Sequence, residues 1–263
     1  MYWRALPEML AEKLLARRLS ARSRRKFLRD VIKGQRMLYM ALRIHDDIFD
    51  RHVANPSLIF ASDLFLIEAE LLFSKHLPKN SKFWEVYRKS LRTTIHSIVE
   101  ADKEQNSFQG DPERLLDRYA HICAIFKVGS AAVCGMSGQW NQFATAASFC
   151  DEMAKAGQIV DDFVDLQEDI GRNRYNYVAK RIFRLAKGDW VRQIFQDVYF
   201  HTEKARRRAM SLRLEPAVRY VSDYERLIQQ IQVRIRKSRV DALFRPLINL
   251  GSIRDSRKQA RSK

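Results

Sequence analysis

Apolar residues recur at three- and four-residue intervals along almost the whole chain, and no run alternates with period two between turn residues. That periodicity predicts helices over 6–33, 36–49, 58–76, 83–107, 112–136, 143–169, 177–185, 190–210 and 216–243. The breaks have their own chemistry. Asn55-Pro56-Ser57 offers a cap for a new start, Pro78-Lys79-Asn80 closes a helix, and Gly110-Asp111-Pro112-Glu113 joins a stop to an N-cap and a first-turn proline. The six prolines fall at such boundaries and not in a linker, so the expected architecture is one all-α domain, a helical bundle with a central cavity over 1–251, followed by a basic tail over 252–263 expected to fray.

Two of the predicted helices carry clustered aspartates. In His45-Asp46-Asp47-Ile48-Phe49-Asp50, Asp46 and Asp50 stand at i and i+4; in Asp161-Asp162-Phe163-Val164-Asp165, continuing to Glu168-Asp169, the residues Asp161, Asp165 and Asp169 repeat that step. Each set shares a helix face. Like charges at that spacing cost a helix roughly 0.2–0.5 kcal/mol per pair. With Ile159, Val160, Phe163 and Leu166 around them, the carboxylates are expected to be poorly solvated and to need a cation. Hard oxygen ligands suit Mg²⁺, which binds through one or two carboxylates plus substrate phosphates. The expected metal ligands are Asp46, Asp47, Asp50, Asp161, Asp162, Asp165 and Asp169, with Asp46, Asp50, Asp161 and Asp165 as the catalytic set.

Charge and cysteine content narrow the function. The net charge is +17, with basic runs from Arg17 to Arg29, Lys204 to Arg208 and Arg234 to Lys263. No zinc-ligand spacing, RNP-like aromatic motif or helix-turn-helix accompanies them, so no specific nucleic acid is expected, and the surface is read as one that steers anions. Cys123, Cys134 and Cys150 lack metal-ligand spacing and read as buried thiols of a reducing compartment. No leader-like core or stretch of some eighteen apolar residues is seen, which predicts a cytoplasmic protein, membrane-peripheral at most.

The residues Ile44 to Asp50, Ala61 to Leu66 and Gly157 to Asp165 resemble the trans-isoprenyl diphosphate synthases, in which two aspartate-rich helices face each other across a cavity. Lys127 is the match for that family's diphosphate-gripping lysine. The same stretches resemble the squalene and phytoene synthases: Tyr39, Arg43, Asp46 and Asp50 follow Y-x-x-x-R-x-x-D-x-x-x-D. Gln158, Asp165, Glu168, Asp169 and Arg174 follow Q-x-x-N-x-x-x-D-x-x-E-D with its later arginine, Asp161 replacing the asparagine. The arginine pair that follows the first motif of the elongating enzymes is missing, since Arg51-His52-Val53-Ala54-Asn55 stands there.

The resemblance, which spans roughly residues 36 to 185, implies a class I isoprenoid synthase. Its Mg²⁺ ions, two or three per site, would bridge carboxylates and the diphosphate of an allylic isoprenyl substrate. Arg43, Lys127, Gln158, Arg172 and Arg174 are then the diphosphate-binding candidates, and Tyr39, Leu42, Phe126 and Phe163 the cavity wall, where rings can stabilise positive charge. Chain elongation with pyrophosphate release is the first expectation, head-to-head condensation the second and cyclisation the third. Expected partners are that substrate, a membrane surface met through the basic face, and a second copy in a homodimer. The competing expectation is a non-catalytic basic helical protein.

Overall fold

The computed structural model describes residues 2–49, 55–104, 111–171, 174, 176–185 and 190–237. These residues form helices and turns, with no strand among them. The helices are α1 (Tyr2–Leu15), α2 (Ala21–Phe49), α3 (Leu58–Ser74), α4 (Lys82–Glu104), α5 (Pro112–Ile122), α6 (Val128–Ser137), α7 (Phe143–Val164), α8 (Leu166–Gly171), α9 (Tyr177–Leu185), α10 (Trp190–Ser211) and α11 (Glu215–Lys237). Short 3-10 turns, Cys123–Lys127 and Trp140–Gln142, lead into α6 and α7. The all-α expectation holds. The tail over 252–263 lies outside the described residues.

Three boundaries differ from those expected, each for a local reason. The first break falls after Leu15 and not near Gly34, because the Ser20 hydroxyl accepts the Ser23 amide at 3.2 Å and starts α2 there. Gly34 stays inside α2 as a contact point: a Cβ there would stand 3.1 Å from the Phe73 ring of α3. The predicted helix over 112–136 is interrupted at Cys123–Lys127, where Thr94 of α4 accepts the Ile125 amide at 3.2 Å and donates to the His121 carbonyl at 3.4 Å. The predicted helix over 143–169 bends at Asp165, whose φ and ψ of −88° and 1° fall outside the helical region. At the expected caps the hydroxyl of Ser57 and the carboxylate of Asp111 make no capping bond, although Asn55 Oδ1 accepts the Ser57 amide at 3.0 Å.

Side-chain contacts fix the helix directions. Arg24 meets Glu12 at 3.1 Å, making α1 and α2 an antiparallel pair. Along α3, His76 meets Asp30 at 2.8 Å while Ser62 reaches the Ala41 carbonyl at 3.1 Å, so α3 returns antiparallel to α2. Gly129 abuts Pro7 and Gly138 lies by Arg18, so α6 runs parallel to α1. Gly138, at φ 68°, then reverses the chain with its amide and that of Gln139 bonded back to Gly135 and Cys134. It follows that α2 and α7 both run opposite to α6 and parallel to each other.

Two apolar clusters fill the interior. The larger joins α1, α2, α6 and the first half of α7 around Leu10, Phe27, Leu38, Phe149 and Met153; the smaller joins α5, α9 and the second half of α7 around Leu116, Ile159, Tyr177 and Phe195. Both α7 and α10 contribute to the two clusters and so connect them. The span Pro112–Ser137 is apolar enough, at a mean hydropathy of 1.4, to cross a membrane by length and composition, unlike the sequence expectation, but most of it is buried inside the bundle. Cys134 and Cys150 are buried as expected, and burial pushes both thiols up to about 12; Cys123 is only half-buried.

The tightest backbone approach is at Gly129, where a Cβ would stand 2.0 Å from Gln35 Oε1 and 2.8 Å from Pro7 Cγ. Gly129→Ala is therefore expected to lower stability by about 1–3 kcal/mol, whereas Gly157→Ala, with nothing within 4 Å of the new methyl, should be neutral or stabilising by up to about 1 kcal/mol. Urea denaturation of both variants checks the contrast; equal midpoints would refute it.

Candidate functional site

Parallel α2 and α7 carry their aspartates on their last turns, so both acidic segments lie toward the same end of the bundle. A level reference comes from the 3-10 turn between α5 and α6. Its Phe126 ring packs 5.9 Å from Tyr39 of α2, and its Lys127 Nζ meets Asp151 Oδ1 of α7 at 2.5 Å. From that level the chain runs seven residues to Asp46 and ten to Asp161, rises of about 10 and 15 Å in the same direction.

On α2 the acids are neutralised locally. Arg43, one turn earlier, puts Nη1 3.3 Å from Asp46 and Nη2 3.0 Å from Asp47. Both carboxylates are half-buried, more open to water than their apolar neighbours led one to expect. Such i,i+3 and i,i+4 pairs between partly exposed groups are worth a few tenths of a kcal/mol each, so their role here is more to orient than to stabilise. His45 bonds Ser62 of α3 at 3.0 Å and faces away from the aspartate stripe. Asp50 lies outside the described residues.

The α7 acids divide into two kinds. Asp162 is 4% exposed, its Oδ1 accepting Gln158 Nε2 at 2.6 Å and its Oδ2 the Tyr177 amide at 2.6 Å. Burial pushes its carboxyl up to about 7 against the pull of those two donors, with Asp169 and Asp161 adding to the rise. Asp162 is thus an internal post joining the end of α7 to the start of α9. Asp161 and Asp165 are exposed instead. Asp161 is raised above the ordinary carboxyl range, first by desolvation among its neighbours and then by the charge of Asp165. Its charge in turn helps, after burial, to raise the phenol of Tyr224, which α11 brings to this region.

Asn176 organises the remainder. It is fully buried, donates from Nδ2 to the Asp162 carbonyl at 2.7 Å and to Asp169 Oδ2 at 2.9 Å, and accepts the Ala179 amide at 3.0 Å on Oδ1. One side chain therefore ties α7 to the Asp169 carboxylate of α8 and caps α9. The Arg174 amide closes on the Asp169 carbonyl at 2.8 Å. Asp169 is raised by desolvation against the Asn176 bond. Beside it, Tyr177 Oη donates to Asp197 Oδ2 at 2.8 Å and Arg181 bonds both Asp197 oxygens at 2.9 Å, fixing α9 on α10.

The remaining predicted residues are dispersed. Lys127 is held by Asp151, some three turns along α7 from Asp161, and Gln158 by Asp162. Leu42 is buried in the larger apolar cluster. Tyr39 and Phe126 form one ring pair; Phe163 stacks on Trp190 at 6.2 Å and packs at a tilt against Phe195 at 5.7 Å in the other cluster. Arg172 lies outside the described residues. The sequence reading missed Asn176 and Asp151. Asn176 had a readable signal, a cap-forming residue directly before a periodic apolar run.

For Mg²⁺, Asp161 and Asp165 fit: two hard, solvent-facing oxygen donors one turn apart whose mutual repulsion a cation would offset. Asp162, consumed by internal donors, does not. No group of three or more His, Cys, Asp or Glu able to hold a metal ion is found among the described residues, which do not include Asp50. Compared with known proteins, the chain matches no family model and no curated sequence.

Asn176→Ala removes three bonds and leaves buried acceptors bare, and is expected to cost roughly 2–4 kcal/mol. Asn176→Ser, which keeps an acceptor for Ala179 but no amide, should recover only the cap, about 1 kcal/mol of it. Thermal and urea melts read both; a variant Asn176→Ala as stable as the parent would show that the clamp is not structural.

Proposed function

We propose that this chain is a Mg²⁺-dependent prenyltransferase of the class I isoprenoid synthase type, one domain over 1–251 with a central cavity between α2 and α7. In this reading it acts on an allylic isoprenyl diphosphate in the cytoplasm, peripheral to a membrane. The observation that carries the reading is the parallel course of α2 and α7, with both acidic segments toward one end. A diphosphate bridging such segments needs cations on its acidic side and an apolar channel behind it.

When bound, Mg²⁺ would supply charge stabilisation to the departing diphosphate. Asp161 and Asp165 would hold it from α7, and Asp46 and Asp50 from α2. Arg43 orients Asp46 and Asp47 and presents a planar fork suited to phosphate oxygens as well. Tyr39 lies deeper along α2, with Phe126 of the 3-10 turn packed against it, where an isoprenoid tail anchored at the aspartates would run, and their rings would exclude water from a carbocation. Lys127 would reach diphosphate only by leaving Asp151.

Chain elongation is the first reaction in this reading. Head-to-head condensation is the second, favoured by a specific observation: Arg43 sits on Asp46 and Asp47 in the Y-x-x-x-R-x-x-D pattern, while no arginine pair follows Asp50.

The full chain, incubated with Mg²⁺ and C10, C15 or C20 allylic diphosphates, with and without the five-carbon homoallylic diphosphate, is expected to release pyrophosphate. Asp161→Asn and Asp165→Asn should each slow release at least about 100-fold, near 2.7 kcal/mol of barrier, with unchanged circular dichroism. Independently of turnover, Mg²⁺ with inorganic diphosphate should raise the melting temperature of the parent but not of Asp161→Asn. A requirement for the five-carbon homoallylic diphosphate identifies elongation; product from farnesyl diphosphate alone identifies the other reactions. No pyrophosphate from any substrate, or parent-like turnover in both variants, overturns the proposal.

A further inference from the structure

Helix α3 leaves an apolar seam in water. It packs chiefly on α2 through Ser62, Ala69 and Phe73, which share one face. On the opposite face stand Phe60, Leu64, Ile67 and Leu71, exposed by 72%, 64%, 54% and 52%. Their four-three-four spacing is that of the a and d positions of a heptad, the pattern by which one helix receives another. Scattered exposed apolar residues need no explanation, but a contiguous stripe in register does.

The charges beside the seam decide what fits it. The chain has 48 Lys and Arg, yet α3 from Leu58 to Ser74 has none. Its flanks carry Asp63 and Glu70 on one side and Glu68 on the other, all exposed. A second copy of α3 would set acid against acid in either orientation. An anionic lipid surface would meet the same repulsion, and helices that lie on such surfaces carry Lys and Arg at these positions. A helix with its own apolar seam and basic flanks meets neither penalty.

We infer that the outer face of α3 is a docking site for an amphipathic helix of a partner protein, apolar at its a and d positions and rich in Lys or Arg beside them. The inference is independent of the proposed catalytic reading.

The test uses the full chain and a labelled three-heptad peptide with Leu at a and d and Lys at e and g, beside a sister peptide with Glu at e and g. Fluorescence anisotropy should give at least about tenfold tighter binding of the Lys peptide, a preference opposite to that dictated by the net charge of +17. The triple variant Asp63→Lys, Glu68→Lys, Glu70→Lys should reverse the preference. Leu64→Gln with Ile67→Gln should weaken the Lys peptide at least about tenfold; these side chains are exposed, and circular dichroism confirms the fold. Equal binding of the two peptides, or a Glu preference in the parent, overturns the inference. So does a dimer in sedimentation that the Gln pair dissolves, which would assign the face to a second copy. Flotation with phosphatidylserine vesicles that the Gln pair abolishes would assign it to lipid and overturns it equally.

Discussion

The arrangement rests on how closely three helices approach at Gly129. With no Cβ in the way, α6 admits Pro7 of α1 and the amide of Gln35 from α2 against its own backbone, and Gln35 Nε2 donates to the Phe126 carbonyl at 3.0 Å. That contact fixes where α2 crosses the 3-10 turn before α6. The same turn carries Lys127 to Asp151 on α7. Two aspartate helices that are not consecutive in the chain are thereby set at a common level through one intermediary, and their parallel direction follows from the hairpin at Gly138. A side chain at position 129 would disturb this reference without touching an acidic residue.

Within that frame the carboxylates do different work because their partners differ. Asp162 has every strong donor it needs inside the protein, and its burial makes it part of the joint between α7 and α9. Asp46 and Asp47 share one guanidinium. Asp161 and Asp165 have each other's charge for a neighbour, and the charge of Asp165 adds to the desolvation that raises Asp161. Ligand capacity therefore follows unmet charge and not the count of aspartates: of the acids described, the α7 pair gains most from a cation, and the buried one would have to break two good hydrogen bonds to join it.

The helical character and the acidic faces were legible in the sequence because both depend on short-range periodicity. The starts of α7 at Phe143 and of α9 at Tyr177 are the predicted residues. What could not be read depends on partners distant in the chain. Gly34 looks like a stop until Phe73 is seen to need the space. The helix over 112–136 looks continuous until Thr94 enters its backbone. In the site, the pairing of Arg43 with Asp47 was readable from spacing, but the burial of Asp162 was not, since Asp161 and Asp162 have the same composition around them and differ only in which face meets α9. The pull of Asp151 on Lys127 likewise spans two helices.

Charge distribution ties these features together. A chain with a surplus of 17 positive charges attracts anions through a field that acts within about a Debye length, some 8 Å at physiological salt. Acidic places on such a surface stand out, because the surrounding field opposes the approach of cations to them. In the proposed reading, Asp161 and Asp165 would overcome that opposition with a divalent ion whose other ligands are themselves anionic, since ion and anion would arrive as one nearly neutral unit. The α3 flanks have no comparable converging pair, and what stands between their acids is a seam of large apolar side chains. Burial of that seam is the stronger term there, with charge choosing among helices that could supply it. On the two proposals, the same cationic background would leave one acidic end to a metal-bound anion and one acidic flank to a basic helix.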